Sequence, residues 1–130
     1  MNNLIRHLAI ALFFLIVLSL AVFGQNNESI EGNWLGTLEF SGVKLRLVLK
    51  VTKAGDGFSA KFDSIDQGAK DLPIDSITRK GNSVSFSAAQ FGMSFEGTLN
   101  EKGDEISGTF KQGAASSPLV FKRISEIPKI

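Results

Sequence analysis

Polar and apolar residues alternate along most of the chain after Gly32, and the alternation is that of strands. Its clearest stretch is Val43–Thr52. Val43, Leu45, Leu47, Leu49 and Val51 fall on one side; Lys44, Arg46, Val48, Lys50 and Thr52 fall on the other. Strict alternation over that length predicts a half-buried antiparallel strand and excludes an amphipathic helix. Similar runs place Trp34, Gly36, Leu38 and Phe40 on one face, then Phe58, Ala60 and Phe62, then Val84, Phe86 and Ala88. Met93, Phe95, Gly97 and Leu99 follow, then Ile106, Gly108 and Phe110, and finally Leu119, Phe121 and Arg123. Ile74–Thr78 is a weaker strand, with Pro73 suited to a strand start or an edge.

Compact turn signals separate these runs: Ser41-Gly42, Gly55-Asp56-Gly57, Lys80-Gly81-Asn82 and Lys102-Gly103-Asp104. Gly and Asn/Asp adopt the backbone of tight hairpins at low cost. Asp66–Asp71 and Gly113–Pro118 read as longer loops. About eight short strands in hairpin succession predict an all-β, antiparallel up-and-down barrel, with a sandwich as the other option. Closure removes exposed edges and is therefore favoured. Trp34-Leu-Gly-Thr-Leu38, Phe95-Glu-Gly-Thr-Leu99 and Ile106-Ser-Gly-Thr-Phe110 repeat one theme, a glycine between two apolar residues of the same face. Such glycines fit places where a strand bends or passes a large neighbour. The alternative is a ligand approaching them.

The N-terminus departs from this rhythm. Arg6 precedes an almost wholly apolar run from Leu8 to Phe23; Val22 and Gly24 suit a cleavage site, and polar Gln25-Asn26-Asn27-Glu28-Ser29 follows. This order predicts a signal-peptide helix over 1–24, a flexible leader over 25–30, a barrel domain over 31–124 and a tail over 125–130. The run falls short of the ~20 residues that span a bilayer, and no basic stop-transfer cluster follows. The expected location is periplasmic or extracellular, with no stable membrane anchor after cleavage.

Removing 24 of 130 residues leaves 106, enough for one domain with a modest core. Without Arg6 the remaining thirteen basic residues balance thirteen acidic ones, which argues against a nucleic-acid partner. The barrel segment contains no His, Cys or Tyr, since His7 is the sole histidine. These types supply most general bases, transition-metal ligands and all disulfides. No catalytic residue, metal site or cofactor is therefore assigned.

Other motifs fail on context. Gly55-Asp56-Gly57-Phe58-Ser59-Ala60 leads into a strand, whereas a dinucleotide fingerprint needs a helix there. Ser41-Gly42-Val43-Lys44 lacks the helical turn that would bring Lys44 over Ser41. Carboxylates could still act in pairs; Asp63, Asp66, Glu96 and Glu105 are the candidates, with solvated surface acids as the default reading. Lys44, Arg46 and Lys50 read as a solvent-facing stripe.

The inferred interior supplies the candidate lumen and barrel-closing residues: Trp34, Phe40, Leu47, Phe62, Phe86, Phe95, Phe110 and Arg123. Facing Phe rings point to a filled lumen, while Gly36, Gly97, Gly108, Ala60 and Ala88 leave room for one small ligand. The filled core is the expectation and the hollow one the alternative. Arg123 is positioned to stack on Trp34 and close one end. Trp34, the single tryptophan, would report a lumen ligand by quenching.

Two resemblances attach to these residues. Gly32-Asn33-Trp34 with the late Arg123 resembles the calycin pattern of lipocalins, which implies a barrel carrying a small apolar ligand. Glu31–Leu38, Lys44–Val51, Asp66–Lys70, Phe95–Leu99 and Pro118–Arg123 resemble the N-terminal accessory domain of exported bacterial α/β-hydrolases. That resemblance implies a non-enzymatic binding or accessory module whose partner is a secreted hydrolase. The catalytic triad of those hydrolases has no counterpart in this sequence.

Overall fold

The computed structural model describes residues 28–130, so the expected signal peptide and the first residues of the leader lie outside the described residues. The alternation becomes nine strands: β1 (Gly32–Phe40), β2 (Val43–Ala54), β3 (Gly57–Ser64), β4 (Ala69–Pro73), β5 (Ser76–Lys80), β6 (Ser83–Ala88), β7 (Met93–Leu99), β8 (Glu105–Gln112) and β9 (Ala115–Ile124). Two single 3₁₀ turns intervene, a first cap at Ile65–Gln67 and a second cap at Ala89–Phe91, each ended by a glycine in the left-handed region.

All nine strands form one antiparallel sheet in the order β4-β3-β2-β1-β9-β8-β7-β6-β5. The chain is thus an up-and-down meander in which β1 pairs with β9, bringing the two ends of the domain together. The expected all-β barrel class holds. The sheet curls as a half-barrel until β5 lies beside β3, yet β4 and β5 share no ladder and remain its two hydrogen-bonding edges.

The ninth strand, β4, lies largely where the sequence suggested a loop. Only Leu72 there is strongly apolar, so no alternation betrays it. It is a short edge strand that pairs Lys61 with Pro73, Phe62 with Leu72 and, past a bulge, Ser64 with Ala69. Pro73 ends it, where a missing N–H is tolerated. The Gly113–Pro118 loop likewise shrinks to Gly113-Ala114, because β9 starts at Ala115 with small, polar, mostly exposed residues.

Inward-facing residues form a continuous core of Trp34, Leu47, Leu49, Phe62, Phe86, Phe95, Leu99, Ile106, Phe110, Phe121 and their neighbours. Phe86 and Phe95 stack at 5.2 Å, and Phe95 meets Phe121 edge to face at 5.2 Å, favourable geometries for aromatic pairs. The repeated glycines serve this packing. A Cβ on Gly108 would lie 2.0 Å from the Glu96 carbonyl oxygen, and one on Gly36 would lie 2.9 Å from Leu119. What occupies those spaces is the protein itself, in agreement with the strand-bending reading.

One end of the barrel is sealed. Arg123 lies 4.2 Å from the Trp34 ring centroid, and its guanidinium donates to the carbonyls of Gly103 (3.1 Å), Glu31 (2.7 Å) and Ser29 (2.7 Å). Trp34 Nε1 donates to the Ile30 carbonyl at 3.0 Å. Ile30 itself is fully buried. Glu28–Ile30 therefore departs from the flexible leader expected over 25–30: Arg79 and Arg123 hold its carbonyls, and the Ile30 side chain joins the core.

Candidate functional site at the barrel mouth

The opposite end is open. There the inward faces of β1, β2, β3, β7 and β8 diverge around a cavity of about 390 Å³. Leu38, Leu47, Phe62, Met93 and Phe110 form its buried wall, and Phe40, Leu45, Leu72 and Phe91 its half-buried rim. Ser64, Gln67, Ala69 and Gln112 complete the lining. This size lies at the lower end of the ~300–1,000 Å³ typical of small-molecule sites, and the mix of apolar wall and few polar groups is also typical.

The two caps flank this mouth. The first is anchored through Asp66, whose carboxylate accepts the Arg46 backbone N–H at 2.8 Å and Arg46 Nη2 at 2.7 Å. The bidentate contact holds the Asp66 carboxyl below the usual carboxylate range, chiefly by the side-chain hydrogen bonds, and raises Arg46 for the same reason. The second cap is held by Asp75, which accepts the Ala89 N–H, and by Gln112, whose Nε2 donates to the Phe91 carbonyl at 3.1 Å. Phe91 thereby meets Phe62 edge to face at 5.6 Å.

Behind the first cap stands a charge cluster on the outer face. Lys50 Nζ lies 2.7 Å from Asp63 Oδ1 and also pairs with Asp71. Burial works against the Lys50 charge, but the two carboxylates outweigh it and raise its pKa. Asp71 is held below its ordinary range mainly by its hydrogen bond to Lys50. Asp63 is only 1% exposed and accepts the Asp71 backbone N–H at 2.8 Å, so it is not the solvated surface acid expected. Its neighbours on this face are Val48, fully buried, and the C-terminal segment Ile127–Ile130. Of the stripe Lys44, Arg46 and Lys50, Lys44 is exposed and Arg46 half-exposed, as a solvent-facing stripe requires, whereas Lys50 is drawn into the cluster by Asp63 and Asp71.

The sequence-derived candidates thus divide. Phe40, Leu47, Phe62 and Phe110 line the mouth; Phe86 and Phe95 are core; Trp34 and Arg123 seal the far end. Trp34 sits four residues from Leu38 along β1, about 13 Å at strand rise, so it is a poor reporter for this cavity. Sequence reasoning missed Ser64, Gln67, Ala69, Leu72, Phe91 and Gln112, which lie at strand ends, in caps or in β4, where alternation carries no signal. Phe91, a lone aromatic inside a hairpin connection, was the one available hint.

Glu96 is exposed and lines shallow outer grooves among Ser, Thr and Gly residues, with Lys111 in one of them and no second carboxylate in either. Among the described residues, no group of three or more His, Cys, Asp or Glu is arranged to hold a metal ion. The chain matches no protein-family model, no curated protein and no solved structure. Fold and site define a small all-β half-barrel with one sealed end and one apolar, capped mouth.

Proposed function

We propose that this chain is an exported, non-enzymatic β-barrel that binds one small, largely apolar ligand in its mouth. The observation carrying this reading is the apolar cavity between Leu38, Leu47, Phe62, Met93 and Phe110, placed where a ligand can enter between the caps. Burying a ligand's apolar surface there is favourable by about 25 cal/mol per Å². The same cavity would serve an accessory module beside a secreted hydrolase, the role implied by the resemblance. Small-ligand binding is favoured over macromolecular docking because, among the described residues, the exposed large apolar side chains are only Val43, Val120 and Ile130, from β2, β9 and the tail.

Native mass spectrometry of protein recovered from its exporting host, paired with titration by N-phenylnaphthylamine, tests the proposal. Saturable one-to-one enhancement of probe fluorescence, or a co-purified small molecule released by collisional activation, is expected. Neither signal at protein concentrations where the fold is intact would end the ligand-binding reading.

A further inference from the structure

The polar groups at the mouth specify the head of the ligand. The cavity lining contains no Lys, Arg, Asp or Glu; its side-chain polar groups are Ser64, Gln67 and Gln112. Ser64 donates its hydroxyl to Gln67 Oε1 at 2.6 Å, which fixes the Gln67 amide and leaves its Nε2 able to donate. Gln112 Nε2 gives one hydrogen to the Phe91 carbonyl, which leaves the other to donate and Gln112 Oε1 to accept. The rim therefore offers amide donors from Gln67 and Gln112 and an acceptor from Gln112, all uncharged, above an apolar wall.

Nearby charge does not alter this. Lys44 and Arg46 flank the rim residue Leu45 on the other face of β2; the Arg46 guanidinium is taken by Asp66 at 2.7 Å, and Lys44, Lys70 and Lys111, each next to a lining residue, are exposed and outside the lining. Lys50 is taken by Asp63 and Asp71. A carboxylate or ammonium drawn below the exposed Gln67 and Gln112 would give up water without meeting a counter-ion in the lining, a penalty for a charged group. A neutral head that both donates and accepts would lose little.

The geometry points to an uncharged amphiphile, with a hydroxyl or amide head between Gln67 and Gln112 and an aliphatic body against Phe62, Met93 and Phe110, as the ligand class of this site. This inference rests on the ligand-binding reading proposed above and adds the discrimination against ionic heads.

Displacement of N-phenylnaphthylamine from the intact protein by dodecanol, dodecanoate and dodecylammonium, each below its aggregation threshold at neutral pH, tests it. Dodecanol is expected to displace the probe at concentrations at least about tenfold lower than either ion. Gln67→Lys, at an exposed position that leaves the core intact, is expected to shift the preference towards dodecanoate. Probe binding with dodecanoate equal to or better than dodecanol on the unaltered protein would overturn the inference while leaving ligand binding standing. Failure of the probe to bind at all would remove the underlying reading, and the inference with it.

Discussion

Phe62 of β3 and Phe91 of the second cap meet edge to face, 5.6 Å between centroids, across the side of the barrel where β4 and β5 form no ladder. Hydrogen bonding closes the sheet between β1 and β9, and side chains close it here. Such a seam opens more readily than a ladder, and it borders the apolar mouth.

Phe91 is half-buried and belongs to a cap rather than a strand. Phe91→Ala is expected to cost about 1–2 kcal/mol of stability, below the ~3–5 kcal/mol typical of a fully buried Phe. It should also weaken probe binding several-fold. Urea denaturation and N-phenylnaphthylamine titration of the same sample separate the two effects; unchanged affinity would place Phe91 outside the site.

Acid should loosen the first cap before the core. Asp66 and Asp71 both have lowered folded-state pKa values, so the stability they contribute is present above the ordinary carboxylate pKa and is lost as pH falls through the lower folded values. Amide exchange at Gly68, whose N–H donates to Ile65, and at Asp71, whose N–H donates to Asp63, should accelerate on acidification ahead of Leu49 and Phe95. Lys50, with its pKa raised, contributes in the opposite sense: its share is intact below the ordinary lysine pKa and lost only as pH rises through the raised one. Uniform acceleration across the sheet would show that the caps are not independent units.

Lys50→Met strands Asp63, whose Oδ2 already lacks a partner among the described residues, without its counter-ion. The expected loss is about 3–5 kcal/mol, the cost of an uncompensated buried charge. Adding Asp63→Leu should recover a large part of it. A double substitution no more stable than Lys50→Met in chemical denaturation would mean that packing of the Lys50 stem, not its charge, dominates.

Gly108→Ala drives a Cβ to 2.0 Å from the Glu96 carbonyl oxygen, a backbone atom that cannot swing aside. It should cost more than about 3 kcal/mol, at the upper end of overpacking substitutions. Gly57→Ala meets nothing closer than 3.9 Å and is expected to be neutral, or stabilising by up to about 1 kcal/mol. Thermal denaturation of the pair checks whether glycine acts through space at β7–β8 and merely through chain entropy at Gly57.

The architecture was legible because the strands of the core alternate strictly, and a period of two leaves few alternatives for Leu45, Leu47 and Leu49 or for Phe95 and Leu99. The sealed end was legible for a different reason: Trp34 and Arg123 are the largest aromatic and the one misplaced cation on inward faces. The mouth was only half legible. Its wall lies on alternating strands, but Phe91, Leu72, Gln67 and Gln112 come from caps, an edge strand and a strand end. The fate of Asp63 depends on a register that sets β3 beside β2, bringing Lys50 within reach, and on a C-terminal segment lying near it; no local pattern encodes either.

The proposed ligand site is the mouth and not the sealed core. Methyl-resolved NMR during titration with N-phenylnaphthylamine tests it most directly. Saturable shifts confined to methyls of Leu38, Leu45, Leu47, Leu72 and Met93, with Leu99 and Ile106 unmoved, are the predicted result. Shifts scattered over the outer face, or centred on Leu99 and Ile106, would contradict it.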